Sequence, residues 1–134
     1  MNNNLGFSDA DRIENIRRIA EVAKLFANCG IVTLASFITP TEESRKLAKE
    51  IIGADKYIEV YVSTSLETCE SRDVKGLYEK ARQGIIKNFT GIDSVFEIPQ
   101  NAAIKIETEG STIDNSVQKL YDFIINKIKK VTPK

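Results

Sequence analysis

Apolar residues at Ile13, Ile16, Ala20, Ala23 and Ala27 recur at three- and four-residue spacing until Gly30, which predicts an amphipathic helix that stops at the glycine. Ser8 followed by Asp11 approximates a capping box at its start. Ile31-Val-Thr-Leu-Ala-Ser-Phe37 comes next without a charge, the pattern of a strand covered on both faces in a parallel sheet, and Pro40 ends it. A second helix is predicted from Thr41 to Ile52, with Leu47, Ala48, Ile51 and Ile52 inward and Gly53 as its stop. Tyr57-Ile-Glu-Val-Tyr-Val62 reads as the following strand. A short helix near Ser65 to Ser71 leads into a glycine-rich basic segment, after which Ala103-Ile-Lys-Ile-Glu107 alternates as a partly exposed strand. Ser111 with Asp114 opens a last helix carrying Ile113, Val117, Leu120, Ile124 and Ile128. Helices alternating with strands in this way predict a layered α/β domain.

A chain of 134 residues fits a single domain, residues 1–134, long enough to bury a core without disulfides or metals. Its formal net charge is zero and its cations are dispersed, so nothing points to nucleic acid or to an anionic membrane as a partner. Any anion site must be local. Lys127, Lys129, Lys130 and Lys134 cluster at the end of the last helix, where cations complement the negative helix terminus, and a solvated tail accounts for them. The chain has no histidine, which removes the commonest metal ligand and the usual acid–base side chain, so no metal site is expected. Cys29 and Cys69 lack C-x-x-C spacing and read as buried, reduced thiols. There is neither a long apolar run nor a signal-peptide pattern, and the expected location is the cytoplasm.

Two stretches carry candidate chemistry. Arg12 and Asn15 share one helix face just after Phe7, so a guanidinium fork and an amide could grip one anion or ribose while the ring stacks on a base. A surface ion-pair helix with a staple phenylalanine explains the same spacing. Lys75, Lys80, Arg82 and Lys87 surround Gly76 and Gly84, and such a segment could close over phosphates as a lid. A solvated basic helix fits that spacing as well. Phe37-Ile-Thr-Pro40 ends a predicted buried strand at its C-terminal end, where open parallel sheets place ligands.

Leu5-Gly-Phe-Ser-Asp-Ala-Asp-Arg-Ile-Glu-Asn15, Phe37-Ile-Thr-Pro40 and Lys75-Gly-Leu-Tyr-Glu-Lys-Ala-Arg-Gln-Gly-Ile-Ile-Lys-Asn-Phe-Thr-Gly-Ile-Asp93 together resemble the adenylylsulfate (APS) kinase family. That family phosphorylates the 3′-hydroxyl of APS to make 3′-phosphoadenylylsulfate in sulfate activation. The resemblance implies an ATP-dependent transferase with a three-layer, P-loop-kinase-like parallel sheet and APS as its small-molecule partner. It implies that Phe7, Arg12, Asn15, Ile38, Thr39, Lys75, Asn88 and Phe89 bind substrate, with Phe89 facing Phe7 across the adenine. Thr39 stands where the family has a serine described as phosphorylated in bacterial members, which makes it the candidate for a catalytic role. A glycine is common in relatives at the Asn88 position, so a backbone contact is what carries over there. Thr90 to Asp93 would shape the turn beneath the base.

No G-x-x-x-x-G-K-[ST] occurs in the chain. The family uses that loop, with magnesium, to hold ATP. The resemblance covers nearly the whole sequence but begins inside the family pattern, after the first two strands and the P-loop helix. In the family sheet the first strand lies between those corresponding to Ile31–Phe37 and Tyr57–Val62, so its absence opens the middle of the sheet. A rearranged form, a homo-oligomer or a complementing N-terminal segment is therefore expected. ATP and Mg2+ belong to the complete family enzyme, and the isolated chain is expected to be inactive. A noncatalytic module that binds APS or another adenine nucleotide with a partner is the alternative.

Overall fold

In the computed structural model, which describes residues 1–129, the elements in chain order are α1 (Asp9–Asn28), α2 (Glu42–Ile52), β1 (Val60–Ser63), α3 (Leu66–Arg72), α4 (Leu77–Arg82), β2 (Ile104–Glu107) and α5 (Ile113–Lys129). They fall into two compact units, one of Met1–Tyr57 with Leu77–Ile98 and one of Ile58–Gly76 with the residues from Pro99 onward. The fold is α/β with a small parallel sheet.

The first unit is built on α1 and α2. Ser8 caps α1 by accepting the Asp11 N–H on its hydroxyl at 3.2 Å and donating to the Asp11 carboxylate at 2.8 Å. The helix ends where Gly30 takes a φ of 79°, a left-handed turn that favours glycine, with its N–H on the Ala27 carbonyl at 3.1 Å. Thr41 caps α2 in a reciprocal box with Ser44, each side chain accepting the other's backbone N–H. Ile16, Ala20 and Ala48 form the buried centre, and Ile19, Ile51, Ile52 and Tyr57 pack against it. Two of these three buried residues are alanines, so Ile16 is the one large side chain at the centre of the cluster. Arg45 is buried beside this core and donates to the Thr39 carbonyl at 3.0 Å.

The second unit holds the sheet. β1 and β2 pair in parallel from Val60 opposite Ile104 to Ser63 opposite Glu107. Ile106 is buried while Lys105 and Glu107 are exposed, the alternation expected of a strand with one covered face. Ser65 caps α3, and Arg72 at its end donates to the Thr108 hydroxyl at 2.9 Å and carbonyl at 3.1 Å, tying the helix to the residue after β2. α5 packs on β2.

Several expectations are corrected. Ile31–Phe37 is not a strand covered on both faces: the segment forms no regular element and is exposed, with Leu34 at 78% accessibility. Among the described residues no hydrogen bond reaches the backbone of Val32 to Ile38. An apolar run becomes a buried strand only where neighbours complete its ladder and cover its faces, and the described residues supply neither. The next strand is Val60–Ser63 rather than Tyr57–Val62. Thr112, not Ser111, caps α5, accepting the Asn115 N–H at 3.1 Å, so the helix begins one residue later than the Ser111–Asp114 spacing implies. Ile113 and Val117 on that helix are exposed, at 82% and 60%, because the short strand β2 offers too little surface to cover them. Cys29 is an exposed free thiol rather than a buried one, since it sits at the C-cap of α1. Lys130 and Lys134 lie outside the described residues.

Because Ile16 is 3% exposed and Leu34 is 78% exposed, truncation should separate the two. Ile16→Ala is expected to cost about 2–5 kcal/mol of unfolding free energy. Leu34→Ala is expected to stay within about 0.5 kcal/mol. Urea denaturation followed by circular dichroism measures both, and a comparable loss at Leu34 would mean that the Ile31–Phe37 segment is packed.

Candidate functional site

The start of α1 and the turn from Asn88 to Ser94 meet through one side chain. Arg12 donates from Nε to the Phe7 carbonyl at 3.1 Å, from Nη1 to the Thr90 hydroxyl at 2.9 Å and from Nη2 to the Asn88 carbonyl. Its planar fork thus joins the backbones of residues 7 and 88 with the side chain of residue 90, an arrangement that suits a guanidinium and not an ammonium. Phe7 lies 70% exposed at the mouth of this junction, held by its carbonyl rather than by burial of its ring. It does not act as a hydrophobic staple.

Within the turn, Asp93 accepts the backbone N–H of Asn88 at 2.8 Å on one carboxylate oxygen and that of Phe89 on the other. Those two hydrogen bonds, the Asn88 one first, and then the charge of Arg12, hold the Asp93 carboxyl below the usual carboxylate range. Asn88 has a φ of 58°. That left-handed backbone is tolerated by asparagine better than by most residues with a β-carbon. The Phe89 carbonyl accepts N–H groups from Ile92 at 3.0 Å, Asp93 at 3.2 Å and Ser94 at 3.2 Å, and its ring meets Tyr78 of α4 edge to face at 5.0 Å between centroids.

Asn15, one turn beyond Arg12, has its side-chain oxygen engaged by the amide of Asn2. Arg18 reaches the Met1 carbonyl at 3.0 Å and the Asn4 side chain at 2.9 Å, so residues 1 to 4 lie back along α1. Glu14 takes Arg17 and Arg18 together, each at 2.7 Å. The bonds from Arg17 and then Arg18 lower the Glu14 carboxyl from its ordinary 4.5 to about 2.

The structure therefore brings Phe7, Arg12, Asn88 and Phe89 together, with Asn15 on the same helix as Arg12. Ile38 and Thr39 lie in the same unit, Ile38 exposed and Thr39 half-buried on the segment that ends at Pro40. No hydrogen bond links them to the Arg12 junction among the described residues. Lys75 is exposed on the turn before α4 and belongs to the second unit. Sequence reasoning assigned Arg12 to a ligand without seeing that it also ties the turn, and it left Asp93 as a residue that merely shapes that turn. The spacing of 78 residues between Arg12 and Thr90 carries no local signal.

The comparisons with known proteins agree on one family. The family described as Adenylylsulphate kinase matches residues 1–107. The adenylyl-sulfate kinase of Bacteroides thetaiotaomicron is 55% identical over 130 residues, covering 97% of this chain and 65% of that protein. The adenylyl-sulfate kinase of Phocaeicola vulgatus is 54% identical over 125 residues, covering 93% of this chain and 61% of that protein. The chain thus spans less than two thirds of the length of these relatives. Among solved structures, the Mycobacterium tuberculosis APS kinase in complex with AMPPNP and APS aligns with a TM-score of 0.85 and 44% identity, over 90% of this chain and 70% of that one.

Since the Glu14 carboxyl is lowered on folding, the unfolded chain binds a proton there between pH 4.5 and about 2 that the folded chain does not. Its contribution to stability is complete above the ordinary carboxylate value and is lost as pH falls through that window. Glu14→Gln should therefore melt at a lower temperature than the unsubstituted chain above pH 5, with the two curves converging towards pH 2; melting temperature against pH tests this. Parallel curves across the range would show that the carboxylate adds nothing on folding.

Proposed function

The chain belongs to the adenylylsulphate kinase family, and from that premise we propose that residues 1–134 are a single-domain APS-binding and lid portion of an APS kinase, cytoplasmic, serving formation of 3′-phosphoadenylylsulfate. The observation that carries this reading is the Arg12 junction, which brings the Phe7 and Phe89 motifs, far apart in sequence, onto one guanidinium. Two phenylalanines beside a fixed cation suit a purine carrying anionic groups. In this reading Phe7 and Phe89 stack on the adenine, Arg12 and Asn15 hold its polar groups, the Asn88 backbone contacts its edge, and Ile38 and Thr39 line the far side. Lys75, which belongs to the other unit, is assigned to substrate by the family resemblance alone. The Thr39 hydroxyl hydrogen-bonds substrate at the position of the family's phosphorylated serine. The relatives named above carry the kinase's name, and none favours a noncatalytic module. No helix among the described residues is long and apolar enough to cross a membrane.

ATP with its magnesium is a different matter. AMPPNP is bound in the related Mycobacterium tuberculosis structure, but the described residues of this chain do not fit such a group. Among the described residues no group of three or more His, Cys, Asp or Glu is placed to hold a metal without help from the phosphates themselves. The first turns of α1 and α2 carry Asp9 and Asp11, and Glu42 and Glu43, carboxylates that would repel a phosphate, and N–H groups there are already taken, that of Asp11 by the Ser8 hydroxyl, that of Ser44 by the Thr41 hydroxyl and that of Glu42 by the Glu97 carboxylate. Phosphoryl transfer depends on such positioning and neutralisation. The family's three-layer sheet, in this proposal, is completed from outside these residues by a second copy or a complementing N-terminal segment.

Isothermal titration of the purified chain with APS tests the binding reading. Phe89→Ala should weaken binding by about 1–3 kcal/mol through lost stacking. An unchanged affinity in that variant would remove the assigned base site. With APS and magnesium-ATP, the chain alone should form no 3′-phosphoadenylylsulfate above background, and product would show that its own residues cradle the phosphates.

The exposed, unladdered Ile31–Phe37 segment supports self-association through strand pairing. Sedimentation equilibrium should give a mass that rises with concentration, and Leu34→Lys should hold the chain at monomer mass. A monomer at every concentration would leave the complementing segment as the remaining route.

A further inference from the structure

Phe89 is held in place from its backbone outward. Both N–H groups at its N-terminal side, its own and that of Asn88, end on the two oxygens of Asp93. The intervening Asn88 carbonyl is taken by Arg12, and the Phe89 carbonyl closes the turn on Ile92, Asp93 and Ser94. The arrangement needs Asn88 at a φ of 58°, a conformation that costs a residue with a β-carbon free energy unless its surroundings over-determine it. A carboxylate is the group that can do so here, because it is acceptor-only and has one oxygen for each N–H. Arg12, in turn, lies near enough to complement the Asp93 charge while it grips the opposite side of the same peptide.

We propose that Asp93 is a positioning residue for the Phe89 ring: its carboxylate clamps the Asn88–Phe89 peptide, opposite Arg12, so that the ring is held edge-on to Tyr78 before any ligand arrives. The consequence for ligand rests on the APS-binding reading above; the clamp itself does not. Preorganisation of this kind removes the ordering cost of a loop and a side chain at the moment of binding. Asp93→Asn replaces one acceptor oxygen with an N–H2 group aimed at a backbone donor, so one hydrogen bond becomes a repulsion while size and shape are kept.

The test has two arms. In the ligand-free chain, NMR should show cross-relaxation between the Tyr78 and Phe89 rings, and Asp93→Asn should abolish it with the remaining spectrum still dispersed. Should that variant not fold, Asn88→Gly combined with Asp93→Asn removes the cost of the left-handed backbone, because glycine adopts it freely, and the ring contact is read there. A ring contact that survives without the carboxylate overturns the clamp. In the second arm, titration with APS should show Asp93→Asn weakening binding about tenfold in the otherwise unsubstituted chain and not at all in the Phe89→Ala chain, the signature of a residue that acts through another. An equal loss in both backgrounds overturns the positioning role. Absence of APS binding by the unsubstituted chain overturns the functional reading alone, and the ring contact still decides the clamp.

Discussion

The Arg12 guanidinium is the interaction on which the organised part of this molecule turns. Its donors satisfy two backbone carbonyls and one hydroxyl, and among the described residues no other hydrogen bond joins the stretch before α1 to the turn around Phe89. Hydrogen bonds from a charged donor are roughly twice as strong as neutral ones, and the fork fixes direction as well as distance. Without it, the stretch before α1 and the turn around Phe89 would be two exposed loops. With it, they form one junction that carries the Phe7 and Phe89 residues. The Asp93 carboxylate works on the same peptide from the other side, so the turn is held between opposite charges rather than by burial.

That reliance on polar contacts reflects how little apolar area this chain covers. The buried centre of the first unit consists of Ile16, Ala20 and Ala48, and no side chain of large volume is fully buried among the described residues. Ile31, Val32, Leu34 and Phe37, which a parallel sheet would cover, face solvent. Among the described residues β1 and β2 make a parallel sheet of two strands, so each is an edge strand. The two-stranded sheet and the exposed apolar segment are two outcomes of one shortage of ladder partners.

Much of the local structure was legible in the sequence for physical reasons that act over a few residues. Ser8, Thr41 and Ser65 cap the helices they were expected to begin, because a hydroxyl beside a run of apolar positions at helical spacing competes successfully for the orphan N–H groups. The capping choice between Ser111 and Thr112 was not legible, since adjacent hydroxyls offer the same chemistry, and it is Thr112 that accepts the Asn115 N–H. Of the candidate site, Phe7, Arg12, Asn88 and Phe89 were named from motif resemblance, whereas the Asp93 clamp and the engagement of Asn15 by Asn2 depend on loops folding back on helices and leave no periodic trace.

By itself, then, the sequence determined where α1, α2 and α3 begin, that the elements are of α/β type, and which family the chemistry-bearing residues resemble, because propensity, capping and motif spacing are local properties. Only the tertiary structure decided that Ile31–Phe37 stays unpaired, that Arg12 spends its fork on the protein's own backbone, and that Phe89 is fixed through Asp93. Each of those outcomes requires partners brought together across long stretches of chain, and hydrogen-bond satisfaction at such distances is set by the folded arrangement and not by any pattern in neighbouring residues.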